Sequence, residues 1–135
     1  MATIRKTLDL AAPAAQVWDA LADFGAVHRR LAAGFVTDCR LVDRETRVVT
    51  FAGGQEFTEH LVSADPAERR LVYAIAQPPF LTYQGTAQVL ALVEDRCRFV
   101  WTVDLLPNAL ADHIEAQMEL GAQAIRRTLQ PAEAA

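Results

Sequence analysis

Residues 108–129 read NALADHIEAQMELGAQAIRRTL and carry the longest helical pattern in the chain. Their apolar and small residues recur at spacings of three and four, which places them on one face of a helix: Leu110, Ile114, Met118, Gly121/Ala122, Ile125 and Leu129. Asn108 is a suitable N-cap and Pro131 a suitable stop. We therefore predict one amphipathic helix over 108–129, and its apolar stripe must pack on a broad apolar surface.

The chain before this helix changes its hydrophobic period twice. Residues 3–10 alternate as a half-buried strand does, and Pro13 then opens a short helix that ends at Gly25, followed by a second short helix near 26–33. From residue 35 onward the period returns to two, and turn residues recur every 8–14 positions. This predicts six more antiparallel strands, near 35–42, 46–52, 55–63, 70–76, 82–93 and 97–105.

Composition indicates one soluble globular domain. The chain has 135 residues, of which 52% are hydrophobic and 22% charged, so it is long enough to bury a core. We predict a single domain over 1–130 and a short frayed tail over 131–135. The net charge of −4 and the presence of a single lysine, Lys6, disfavour a nucleic-acid partner. Without an apolar run of 18 residues or a signal-peptide pattern, the expectation is a cytoplasmic protein with no membrane span.

Metal, redox and cofactor chemistry have no sequence pattern in their favour. Cys39 and Cys97 stand alone in strand-like segments, so we interpret both as ordinary buried thiols without a disulfide. The three histidines are dispersed, and Ser63 lies outside any nucleophile motif. Gly53-Gly54 precedes no helix and is interpreted as a hairpin turn instead of a phosphate loop. We predict no metal and no cofactor.

Together these patterns predict an α+β fold with a curved antiparallel sheet covered by the C-terminal helix. Only that helix is long enough to cover the inner face of seven strands, and the two short helices then close one end. Where the sheet curves away from the helix a gap remains, and small apolar ligands occupy gaps of this kind.

Three segments carry a resemblance to a known superfamily. They are residues 12–24, which read APAAQVWDALADF, residues 98–104, which read RFVWTVD, and the final amphipathic helix. Together they resemble the SRPBCC superfamily, which includes START lipid-transfer domains, polyketide aromatase/cyclases and birch-pollen-allergen-like proteins. The resemblance spans essentially the whole chain and implies the helix-grip fold, with a ligand cavity between sheet and helix.

Strand parity selects the side chains that face this cavity, because residues two apart share a face. Phe57, Glu59 and Leu61 are expected to point inward together. So are Tyr73 on the next strand, Leu81 and Tyr83 on the one after, and Trp101 on the last. The resemblance adds weight to Trp101, since related cyclases line their pockets with a tryptophan in a similar run. Tyr73, Tyr83 and Trp101 also suit a plain packing role.

Glu59 is the polar exception in an apolar row, and a buried carboxylate is costly unless it is paired, hydrogen-bonded or protonated. The alternative is a sheet twist that brings it to solvent at the cavity mouth. On the helix, His113 and Gln117 lie four residues apart beside the apolar stripe. Gln117 is the candidate, because related cyclases present an amide near there. We expect His113 to be solvated.

Three functions fit these features. The first is binding of a small, largely hydrophobic or aromatic molecule at Phe57, Glu59, Tyr73, Tyr83, Trp101 and Gln117. The second is a polyketide cyclase/dehydrase-like enzyme that uses the same cavity, although we predict no inward-facing arginine of the kind that the resemblance to cyclases implies. The third is a protein-interaction role, which would require an exposed apolar patch. The absence of an evident acid/base pair favours the first. Catalytic residues and oligomeric state stay unassigned.

Overall fold

The computed structural model of the protein describes residues 1–130; the tail predicted over 131–135 lies outside the described residues. One seven-stranded antiparallel sheet has the strand order β1-β7-β6-β5-β4-β3-β2. The strands are β1 (Ala2–Leu10), β2 (Val36–Asp43), β3 (Thr46–Phe51), β4 (Glu56–Asp65), β5 (Arg70–Ala74), β6 (Thr82–Ala91) and β7 (Cys97–Leu106). The helices are α1 (Ala14–Ala22) and α2 (Ala111–Leu129).

The predicted helix-grip architecture is confirmed. Seven strands, short helical segments after β1 and a long C-terminal helix appear in the expected order. The second short helix is a 3-10 turn, Phe24–Ala26, followed by a π-helical turn, Val27–Leu31. The prediction of Asn108 as an N-cap is wrong. A 3-10 turn, Asn108–Leu110, precedes α2, and its backbone bond from Leu110 N–H to the Pro107 carbonyl (3.1 Å) replaces a side-chain cap.

Helix α2 packs most closely on β1 and on the π-helical turn. Lys6 of β1 meets Glu119 of α2 at 3.1 Å. The apolar stripe faces the sheet, where Met118 and Ile125 are buried. At Gly121 a Cβ atom would lie 3.0 Å from both the Phe35 and the Trp101 rings, so the missing side chain lets the helix pass over these aromatics.

In the part of the chain that the structure describes, no helix is both long enough and apolar enough to cross a membrane.

Candidate functional site

A cavity of about 350 Å³ lies between the inner face of the sheet, the π-helical turn and α2. Its wall is mainly aliphatic and aromatic, with a few polar side chains among them. All six residues that the sequence analysis proposed as ligand-binding line this cavity: Phe57, Glu59, Tyr73, Tyr83, Trp101 and Gln117. Their participation in binding stays a prediction.

The main polar feature of the cavity is a buried ion pair. Arg47 on β3 and Glu59 on β4 are 6% and 5% exposed. Arg47 Nε donates to Glu59 Oε1 at 2.9 Å, and Arg47 NH2 makes an ion-pair contact of 2.7 Å with the same oxygen. Arg47 NH1 donates to the Phe24 carbonyl at 3.0 Å, and the guanidinium carbon lies 3.9 Å from the centre of the Phe24 ring. Glu59 is therefore buried and paired, and it does not reach solvent at the mouth.

Arg47 is the functional candidate that the sequence analysis missed, and the prediction of no inward-facing arginine is wrong. Two sequence features identify it. Arg47 shares parity with Val49 and Phe51, which also line the cavity. In addition, β3 and β4 form a hairpin in which Thr50 faces Glu56, and this register places Arg47 directly opposite Glu59. An inward carboxylate thus has its counter-charge on the neighbouring strand.

Beside the ion pair lies a group of three aromatic side chains, two of which are joined by a hydrogen bond. Trp101 Nε1 donates to the Tyr73 hydroxyl at 3.1 Å. The Tyr73 and Tyr83 ring centres are 6.2 Å apart. Tyr73 lies over Gly85, where a Cβ atom would come within 2.2 Å of the ring. Glycine at this position therefore makes room for the tyrosine ring.

Both tyrosines are held in their neutral form. Burial, and then the nearby Glu59 carboxylate, raise the pKa of Tyr73 from 10.0 to about 12. Burial, and then Tyr73 itself, raise the pKa of Tyr83 well above 10.0. At neutral pH these phenols are hydrogen-bond donors and acceptors, and they carry no negative charge that would make them bases.

The cavity opens between the β3–β4 turn, the β5–β6 loop and the start of α2. Gln55, Pro79 and His113 are exposed and also line the cavity, which places them at its mouth. Thr58 N–H donates to Gln77 Oε1 at 2.8 Å, so the β5–β6 loop is tied to β4. His113 is solvated as expected, and Gln117, one turn further along α2, lies deeper.

One inward prediction is wrong. Leu81 is 81% exposed, because β6 begins only at Thr82 and strand parity does not extend into the loop before it. Phe80 points inward in its place. Its ring centre lies 5.7 Å from that of Phe57 and 4.8 Å from that of Tyr83.

Other reactive groups lie outside this cluster. Cys39 and Cys97 are buried free thiols, and burial is the main cause that raises the pKa of each. Among residues 1–130, no three His, Cys, Asp or Glu side chains are grouped so that they could hold a metal ion.

Comparison with known proteins identifies the family. Residues 1–132 match the family described as "Polyketide cyclase / dehydrase and lipid transport". No protein of curated function matches the sequence.

Solved structures show the same fold. A Thermobifida fusca protein is 29% identical over 99% of both chains, with a TM-score of 0.73. The protein XoxI from Bacillus cereus is 20% identical over the full length of both chains, with a TM-score of 0.84. Truncated norcoclaurine synthase from Thalictrum flavum is 18% identical over 98% of this chain and 95% of its own, with a TM-score of 0.74. The chain therefore belongs to the polyketide cyclase/dehydrase and lipid transport family of the SRPBCC superfamily.

Proposed function

We propose that the protein binds a small, largely hydrophobic molecule in the cavity between the sheet and α2. The observation that carries this proposal is the cavity itself. It is mainly apolar, and a buried ion pair of Arg47 and Glu59 lies in its wall. Ligand sites in proteins combine an apolar wall with a few placed polar groups in this way.

The cavity volume limits the size of the ligand. An engineered apolar cavity of about 150 Å³ accepts one benzene molecule. The cavity of about 350 Å³ found here therefore suits a body of roughly two fused rings or an acyl chain of similar bulk. The aromatic walls formed by Phe57, Phe80 and Tyr83 favour a ring system, because aromatic pairs gain from edge-to-face contact.

A second candidate is a polyketide cyclase/dehydrase-like enzyme that uses the same cavity. The inward guanidinium of Arg47 favours it, because a fixed positive group can stabilise a developing oxyanion. The present state of the polar groups in the cavity favours binding. Arg47 is engaged by Glu59 and by the Phe24 carbonyl, and Tyr73 and Tyr83 stay neutral. The cavity therefore offers no tyrosinate as a general base.

Native mass spectrometry of freshly purified protein tests the proposal first, with any retained compound identified after extraction. Retention of an aromatic or acyl compound supports binding. Incubating that compound with fresh protein separates the two candidates, because an enzyme returns it chemically altered whereas a binding protein returns it unchanged.

A matched pair of variants tests the location of binding. Val49→Phe inserts a ring into the cavity, whereas Val48→Phe places the same ring on the opposite face of β3. With the neutral dye N-phenyl-1-naphthylamine as probe, we expect Val49→Phe to weaken binding at least about tenfold and Val48→Phe to leave it unchanged. Equal binding by both variants would place the dye site elsewhere.

A further inference from the structure

The two oxygens of the Glu59 carboxylate have different surroundings. Both contacts from Arg47 go to Oε1, at 2.9 and 2.7 Å. Within residues 1–130, Oε2 accepts no hydrogen bond from the protein. An unpartnered oxygen that is not fully enclosed keeps some accessible surface, and this holds for Oε2. Glu59 itself lines the cavity. Oε2 is therefore an unused anionic acceptor that faces the cavity.

The charge balance around this acceptor restricts what it can accept from. Arg47 already neutralises Glu59, so the pair has no net charge. A ligand ammonium would bring an unbalanced charge into an apolar cavity, which is costly. A ligand carboxylate would meet the Glu59 oxygen with like charge and no proton to donate. A neutral hydroxyl avoids both costs, because it donates its proton and adds no charge.

Resting on the proposed function, we infer that the cavity selects neutral ligands with a hydroxyl group, which donates its proton to Glu59 Oε2. The apolar body of the ligand then lies against Phe57, Phe80 and Tyr83. A hydrogen bond to an ionised acceptor is among the stronger ones, particularly where water is excluded. Glu59 thus sets the class of ligand, and Arg47 positions it by holding Oε1 and leaving Oε2 free.

Isothermal titration calorimetry with a matched ligand series tests this inference. 2-Naphthol can donate a proton to Oε2, whereas 2-methoxynaphthalene has the same ring body, is more apolar and cannot donate. We expect 2-naphthol to bind the natural protein at least about tenfold more tightly. We also expect 2-naphthoate and 2-naphthylmethylammonium to bind more weakly than 2-naphthol.

The variant Glu59→Gln tests the acceptor itself. Its amide can still accept from Arg47 while it turns an N–H toward the ligand, so we expect the preference for 2-naphthol over the ether to fall below about threefold or to reverse. Glu56→Gln is the control, because Glu56 lies on the same strand and is exposed outside the cavity. It should keep the full preference.

The outcomes separate this inference from the proposed function. Equal binding of the naphthol and the ether by the natural protein would overturn the hydroxyl inference and leave hydrophobic binding in place, even if Glu59→Gln fails to fold. An undiminished preference in folded Glu59→Gln, or tightest binding of the ammonium compound, would also overturn it. Binding of none of the four compounds would refute both.

Discussion

Removing Arg47 is the sharpest test of how the cavity holds its charges. The guanidinium makes two hydrogen bonds, one to Glu59 and one to the Phe24 carbonyl. It also makes a second ion-pair contact with the same Glu59 oxygen and lies over the Phe24 ring. Arg47→Met keeps an unbranched apolar stem and deletes all of these. It leaves the Glu59 carboxylate, which is 5% exposed, without a counter-charge.

The expected cost is large because the pair is buried. Breaking a buried ion pair by removing one partner costs about 3–5 kcal/mol, most of it from the unpaired charge that stays behind. Glu59→Gln should cost less, about 2–3 kcal/mol, because the amide oxygen still accepts from Arg47. Were Glu59 unpaired, the same change would leave stability unchanged or raise it.

The double variant Arg47→Met/Glu59→Gln isolates the charge effect. Because no unpaired charge remains, it should be more stable than Arg47→Met alone by at least about 1 kcal/mol. Urea unfolding followed by tryptophan fluorescence measures each free energy of unfolding. Arg40→Met, at an exposed arginine of the neighbouring strand, should change stability by no more than about 0.5 kcal/mol. A loss below about 1 kcal/mol in Arg47→Met, or a double variant less stable than it, would refute the reasoning.

Three further predictions concern the aromatic group beside the ion pair. The chain has only two tyrosines, and burial raises the pKa of both. A pH titration of the absorbance at 295 nm should therefore show almost no tyrosinate in the folded protein at pH 10. In guanidinium the same titration should have its midpoint near pH 10. Because burial raises the folded pKa of Tyr73 to about 12, its contribution to stability is complete below pH 10 and is lost as the pH rises toward 12; a folded-state midpoint near 10 would contradict this. Gly85→Ala should cost about 1–3 kcal/mol in urea unfolding, because the new methyl group overlaps the Tyr73 ring; an unchanged midpoint would show that the ring moves freely. Tyr73→Phe removes the acceptor of the Trp101 N–H and should cost about 1 kcal/mol, with a shift in tryptophan emission that is absent in Tyr83→Phe.

The sequence predicted the inward positions well where strands are regular. Side chains alternate strictly along a paired strand, so parity placed Phe57, Glu59, Tyr73 and Tyr83 in the cavity wall without any tertiary information. The rule failed at Leu81 because this residue precedes β6. The turn residues mark a loop, but they do not fix the residue at which pairing begins, and a shift of one position reverses the face.

The sequence by itself determined the element order, a curved antiparallel sheet covered by one long helix, and the anomaly of one carboxylate in an apolar row. These follow from local periodicity, which depends only on which residue types recur at spacings of two, three or four. Only the tertiary structure decided that Arg47 neutralises Glu59 through one oxygen and leaves the other facing the cavity. Hydrogen-bond geometry of this kind depends on sheet curvature and on the Phe24 carbonyl from a distant turn. Residue spacing within one strand encodes neither of these.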